Sequence, residues 1–400
     1  MAPPFRTEQV GSLLRPAPLV AARTAANPGS RYLEDSLPEE VQRLTEQAVA
    51  EVVQQQLAQS IRPITSGEYS RSIFYAGFFE KLHGFAVTDV PVPQGFRSNH
   101  PTIRLMEKLR VPSRPAAVAV GRIEHRESPY LGEWLQLRQF VPEGLWKECK
   151  FTMPPVTWDH MHLAVGAAYT PSSGYATDRE YFQDLAAAYV KEFRVLYDAG
   201  VRSIQIDDPC LTFFVTDQFR AGCIADGEDP DALLDLYIWA HNQCLAGRPS
   251  DLHVGIHLCR GNMPQGRFVS TGSYERIAER LFQKLDYDTF YLEYDTERAG
   301  DFQPLRHLPV GKNVVLGLVS TKEAELERLE DLEARVYEAA EVIARAQGRS
   351  RAEVLATSLA VSPQCGFASM SSGHGVGMTM ERMWEKLQLV QALAGRIWPV

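Results

Sequence analysis

A chain of 400 residues with a formal net charge of −9, 45% hydrophobic and 23% charged residues has the composition of an ordinary globular protein, which excludes a disordered, collagen-like or rod-like chain. Lys and Arg gather into no block, so nucleic acid is not an expected partner. No apolar run reaches the roughly 18 residues that cross a bilayer, and the opening MAPPFRTEQV lacks the order of a signal peptide, so a cytoplasmic protein without a membrane partner is expected.

Three hydroxyls stand three residues before a Glu, at Ser36 and Glu39, Thr177 and Glu180, and Ser320 and Glu323, and each pair predicts a helix start. The first opens a helix in an N-terminal extension, residues 1–60, that packs on the rest. The second predicts a helix from about Asp178 to Ala199, stopped by Gly200 and followed by a strand at Ser203–Ile206. Behind the third, Leu326, Leu329, Val336 and Ile343 share one helical face. The aromatic-rich stretch Ile73–Phe79 reads as a further core-facing helix.

Short apolar runs recur near 62–66, 116–120, 149–153, 203–206, 253–257, 289–293, 313–317 and 357–361. Eight runs separated by helix-length segments predict an α/β fold, a (β/α)8 TIM barrel over residues 61–400, with no linker to divide it. An open doubly wound sheet is the other architecture, but the glycine fingerprint after its first strand is missing.

In such barrels chemistry sits where strands end. Glu68 follows the first run, Asp207 and Asp208 the fourth, His257 and Cys259 the fifth, Glu293 the sixth and Cys365 the last. Taken singly, each has a bland explanation: a packed thiol, a hydrogen-bonded imidazole, a salt-bridged carboxylate, a helix-capping acid. Together, one imidazole, two thiolates and one carboxylate are four ligands of the kinds that Zn²⁺ takes. Such a set outweighs the ion's charge, leaving a weak Lewis acid suited to keeping a substrate thiol as a nucleophilic thiolate. Glu68 and Asp207, without basic partners in their motifs, suit the ammonium group of that substrate.

The strings VGSLLRP (Val10–Pro16), SGEYSR (Ser66–Arg71), IQIDDP (Ile204–Pro209), HLCRGN (His257–Asn262), LEYD (Leu292–Asp295) and SPQCGF (Ser362–Phe367) resemble the catalytic barrel of cobalamin-independent methionine synthase, nearest to its short single-barrel relatives. The resemblance implies a zinc-dependent homocysteine S-methyltransferase with His257, Cys259, Glu293 and Cys365 on the metal. It implies the substrate ammonium near Glu68 and Asp207, its carboxylate near Val10, Gly11 and Ser12, and a flat methyl donor near Trp158. The donor-side histidine of the family has no counterpart in Gly317–Lys322, so His374 is the candidate replacement acid. The partners implied are a homocysteine-like thiol and a methyl donor, a methylfolate or a methylcorrinoid. An epoxyalkane:coenzyme M transferase-like alkyl transfer and a non-catalytic zinc barrel are the alternatives.

Overall fold

Continuous apolar runs suit strands that are covered on both faces, and six of the eight expected runs form one parallel sheet. The computed structural model describes residues 2–27, 37–371 and 375–399. Among them, two antiparallel strands, β1 (His83–Pro91) and β2 (Ser113–Glu124), precede six parallel ones. These are β3 (Phe151–Met153), β4 (Ser203–Asp207), β5 (His253–Leu258), β6 (Thr289–Glu293), β7 (Asn313–Val319) and β8 (Leu359–Pro363). Register places Ile204 between Phe151 and Val254, and Leu316 between Leu292 and Val361. All residues of β4, β6, β7 and β8 are buried.

Two irregular segments close the wall. Thr7 bridges Val361 of β8 in parallel, and Ile64 bridges Cys149 just before β3. The seam between them is stitched by Leu13 N–H to Gly67 O at 3.1 Å, and by side chains, with Thr65 Oγ1 donating to Gly11 O at 3.0 Å and Gln9 Nε2 to Pro63 O at 2.6 Å. The count of eight is therefore reached with a different member. The run at 116–120 is not a barrel strand; it lies in β2, which pairs with β1 in a hairpin inserted between the first barrel run and the helix Leu131–Gln139 and otherwise makes one bridge, from Ala119 to Tyr169. Its Val120 is 44% exposed, which a wall strand would not tolerate. The N-terminal strand was hidden by polarity. Glu8 turns into the barrel to meet Lys150 at 2.7 Å, and Gln9 donates to Gln56.

The extension beyond that strand carries the helices Ala17–Ala26 and Glu39–Ala58. Pro38 precedes the second, and Ser36 lies outside the described residues. The helix at Asp178–Asp198 starts as the sequence predicts: Thr177 Oγ1 accepts the Glu180 N–H at 3.2 Å, a cap that contributes about 1 kcal/mol. The Ser320 pattern does not start a helix. Ser320 Oγ accepts from Lys322 N–H at 3.2 Å, its own N–H donates to Glu327, and the helix begins at Leu329. Those bonds fold the loop after β7 over the barrel mouth instead. Ile73–Phe79 is likewise not helical. Ile73 bridges Met370 and turns follow, which lets Phe74 and Tyr75 face the cavity described below.

Candidate functional site

A parallel ladder points its strand ends one way, so the residues that leave β4, β5, β6 and β8 converge at one mouth. Nitrogen, sulfur and oxygen atoms of His257, Cys259, Glu293 and Cys365 lie within 4.8 Å of one another, all four residues being buried. The two sulfurs are 3.6 Å apart. A tetrahedral ion bound by sulfurs at about 2.3 Å would hold them roughly 3.8 Å apart, so donor types and spacing both fit such an ion.

The imidazole of His257 is aimed. Its Nδ1 meets Asp207 Oδ1 at 3.1 Å, which leaves Nε2 facing Glu293 at 3.8 Å. Asp207 is itself held by Gln205 Nε2 at 2.6 Å, and the same amide nitrogen donates to Val10 O. Burial opposes a charged imidazole here. The Asp207 hydrogen bond and the charges of Cys259, Asp207 and Glu293 outweigh it and raise the group to about 9, so the cluster favours positive charge at its centre. Burial pushes Glu293 upward as well, yet Arg298, Lys322 and His257 hold its carboxyl below the ordinary value. Arg298 reaches Glu293 at 2.9 Å and Asp295 at 2.8 Å. The Cys259 thiol is held up by the adjacent Cys365 sulfur and by burial, and Gly261 N–H points at its sulfur at 3.2 Å.

The loops that carry these groups are tied together. Lys322 Nζ donates to Gly261 O at 2.7 Å and to Asn262 Oδ1 at 3.0 Å, while Asn262 Nδ2 donates to Gly366 O at 2.7 Å. Lys322 and Asn262 thus join the segments after β5, β7 and β8. Gly366 is packed closely on Ser12: a Cβ there would stand 1.9 Å from Ser12 Oγ and would force that hydroxyl to rotate away.

A cavity of about 100 Å³ opens beside the cluster, lined by His257, Cys259 and Cys365 together with Val10, Ser12, Glu68, Asp207 and Trp158. Gly11 does not line it. It backs Glu68 with φ +135°, where a Cβ would meet Thr152 Cγ2 at 2.5 Å. Glu68 accepts from Thr152 Oγ1 at 2.7 Å through one oxygen, and the other has no partner among the described residues. Burial, with the charge of Asp207 adding to it and Arg71 opposing, raises Glu68 to about 7. A carboxyl so raised is shared between its neutral and charged forms near neutral pH, and the charges of Arg71 and Arg15 favour the charged one. Asp208, by contrast, is absent from the lining. It accepts Leu211 N–H at 2.9 Å and meets His241 Nε2 at 2.9 Å, so it braces the loop after β4. Trp158 packs on Tyr75 at 4.3 Å and His162 at 4.2 Å between ring centres. His374 lies outside the described residues.

Sequence reasoning missed Gln205, Asn262, Arg298 and Lys322. Asn262 stands in the HLCRGN string and Gln205 in IQIDDP, two residues before Asp207, and both could have been found there; Arg298 and Lys322 act through contacts that no such string encodes.

Residues 174–384 match the family model described as the catalytic domain of cobalamin-independent synthase. An uncharacterised Bacillus subtilis protein, YxjH, is 31% identical over 99% of this chain and 95% of its own length. A Bacillus velezensis 5-methyltetrahydropteroyltriglutamate–homocysteine methyltransferase is 21% identical over 70% of this chain but only 31% of its own. Among solved structures, one from Listeria monocytogenes, provisionally assigned as a vitamin-B12-independent methionine synthase, aligns over the whole of both chains at 26% identity with a TM-score of 0.70. A B12-independent methionine synthase from Shewanella sp. W3-18-1, in complex with selenomethionine, shares the fold at 18% identity and TM-score 0.66 over 98% of this chain and 97% of its own. The barrel, its strand-end cluster and these matches agree: the chain belongs to the family of cobalamin-independent methionine synthase catalytic barrels, a methyltransferase family.

Proposed function

We propose that the protein is a zinc-dependent thiol S-methyltransferase that takes homocysteine or a close relative to methionine or the corresponding thioether. The observation that carries this reading is the convergence of two sulfurs, one imidazole and one carboxylate beside a cavity whose polar end is acidic. His257, Cys259, Glu293 and Cys365 would hold the metal, and zinc in so electron-rich a setting supplies a place where a substrate thiol rests deprotonated yet nucleophilic.

The chain's own groups do the rest. Glu68 and Asp207 bind the substrate ammonium, and the free oxygen of Glu68 is the acceptor left for it. The backbone at Val10, Gly11 and Ser12 receives the substrate carboxylate. Asp207 also fixes the His257 ring, so one carboxylate couples substrate position to metal geometry. Trp158 walls the donor end. The substrate sulfur then forms a bond to the methyl carbon as the bond from that carbon to the donor breaks, and the leaving group keeps the electron pair. A methylfolate or a methylcorrinoid supplies the methyl group, and His374 is the candidate acid for the departing donor.

Purified protein stripped of metal and reloaded with zinc tests the reading. Methionine should form from homocysteine and one of these donors in proportion to bound zinc. Full turnover by the stripped protein, or none by the zinc-loaded protein with either donor, would overturn it.

A further inference from the structure

Glu68, the carboxylate proposed for the substrate ammonium, is held by groups that lie behind the cavity. Its backbone sits at φ +60°, in the left-handed region that residues other than glycine rarely enter. Arg15 Nη2 donates to its carbonyl oxygen at 2.9 Å, and the Arg71 N–H donates to the same oxygen at 3.0 Å. The side chain then depends on Thr152, whose Oγ1 donates to Oε1 at 2.7 Å.

Thr152 is held in turn by Arg71. This arginine follows Glu68 by three residues, yet its fork does not close on that carboxylate. Nη1 donates to Thr152 Oγ1 at 3.2 Å and Nη2 to Thr152 O at 2.7 Å. With Oγ1 accepting from Arg71, the one hydroxyl hydrogen of Thr152 is left for Glu68. Nη1 also donates to Phe74 O at 3.1 Å, in the turn that brings Phe74 to the cavity. On the far side Nε meets Glu133 Oε2 at 2.9 Å, from the helix Leu131–Gln139, and the guanidinium lies 4.4 Å from the ring centre of Tyr130. The side chains of Arg71 and Glu133 are 2% and 8% exposed, and neither lines the cavity beside the sulfurs.

A buried ion pair adds little to stability by itself, because taking two charges out of water costs about as much as their attraction returns. This pair acts on the site instead. Burial raises Glu68, the charge of Arg71 opposes that, Asp207 adds to it, and Arg15 opposes it again. Lys150, just before β3 and paired with Glu8, is a further buried cation whose charge reaches Glu68. The phenol of Tyr130, raised well above its ordinary range by burial, stays neutral. Of the three cations, Arg71 alone is bonded both to the hydroxyl that holds Glu68 and to a counter-charge of its own.

We propose that Arg71, with its partner Glu133, is the positioning residue of the amino-acid site: it aims the Thr152 hydroxyl at one oxygen of Glu68 and so leaves the other free for the substrate ammonium. The proposal rests on the methyltransferase reading and names the residues that stand behind its acceptor site. The charge of Arg71 also favours the anionic form of Glu68. Glu133 offsets that charge, so the two halves of one ion pair act on ammonium binding in opposite senses. A pair present only to hold the fold would not.

The test titrates zinc-loaded protein by calorimetry with methionine and with γ-methylthiobutyrate, which lacks only the ammonium group, from about pH 5.5 to 8.5. The ratio of the two affinities reads the ammonium site alone. In the parent it should rise as pH climbs through about 7, where Glu68 ionises. Arg71→Met should move that midpoint up by about one unit or more, Arg71→Lys should move it less, and Glu133→Gln should move it down. Arg71→Met leaves Glu133 buried without a partner, so Arg71→Met/Glu133→Leu guards against misfolding. The double variant should bind zinc and γ-methylthiobutyrate as the parent does and still show the raised midpoint. Shifts of the same sign in Arg71→Met and Glu133→Gln, or an unshifted midpoint in the folded double variant, would overturn the proposal. A parent with no preference for methionine at any pH would overturn the ammonium site itself, and the methyltransferase reading with it.

Discussion

On the sulfur side of the cavity the reactive groups leave β4, β5, β6 and β8 at their last residues or within two of them, so a parallel ladder fixes each backbone. Their side chains then orient one another, as Asp207 does His257 and Arg298 does Glu293. The opposite wall is assembled from the turns after Ile73, the start of β2 and the short helix Trp158–His162, where the indole N–H of Trp158 has no partner among the described residues. The contrast teaches where a barrel stores precision. Strand ends hold geometry that must not vary, such as a metal's ligands, whereas inserted segments can be refitted to another donor without disturbing it.

The strongest challenge to that contrast is Cys365→Ser. Replacing one of the four ligands should lower zinc affinity by more than the ~10–100-fold usual for a supporting contact and abolish turnover, with the fold kept by circular dichroism. A variant that holds stoichiometric zinc as tightly as the parent would break the division at its firmer side.

Glu68→Gln comes next. Losing a charged acceptor costs about 1.5–3 kcal/mol, which raises the KM for homocysteine ~10–100-fold while kcat at saturation changes little. The sign of its pH effect is fixed by its raised pKa. Ionised Glu68 is needed for the ammonium, so in the parent the KM should climb as pH falls through about 7, and Glu68→Gln should lose that dependence. The folded state binds this proton more tightly than the unfolded chain, so between about 4.5 and 7 stability declines as pH rises. Glu68→Gln removes that burden and should melt higher at neutral pH, the mark of a group kept for binding rather than for folding. Asp207→Asn sharpens the same point from beneath the metal: the His257 ring loses its orienting carboxylate, and zinc affinity should drop ~10-fold. Smallest is Trp158→Phe, which keeps a ring but loses the indole N–H and should cost about 1 kcal/mol, or ~5-fold in donor KM, with zinc and homocysteine binding untouched.

The same contrast explains how far the sequence could be read. Metal-ligand candidates were legible because each follows an apolar run directly, and position at a strand end is nearly a local property. Six of the wall strands were legible because their short apolar or β-branched runs recur between helix-length segments, even where, as in β4, polar Ser203, Gln205 and Asp207 alternate with the apolar residues. The strand at Thr7 was not, because Glu8 turns its carboxylate into the barrel to Lys150 while Gln9 turns its amide the other way, to Gln56 of the helix Glu39–Ala58, and both partners lie far along the chain. Nor was β2. An alanine-rich run fits a hairpin as well as a barrel wall, and only its partner decides between them.

The central claim is that a homocysteine thiol joins an ion already held by two sulfurs. X-ray absorption at the zinc edge, before and after homocysteine is added, measures this directly. The account predicts two sulfur and two nitrogen or oxygen neighbours at first, and one more sulfur afterwards. An unchanged sulfur count, with homocysteine shown to be bound, would contradict it.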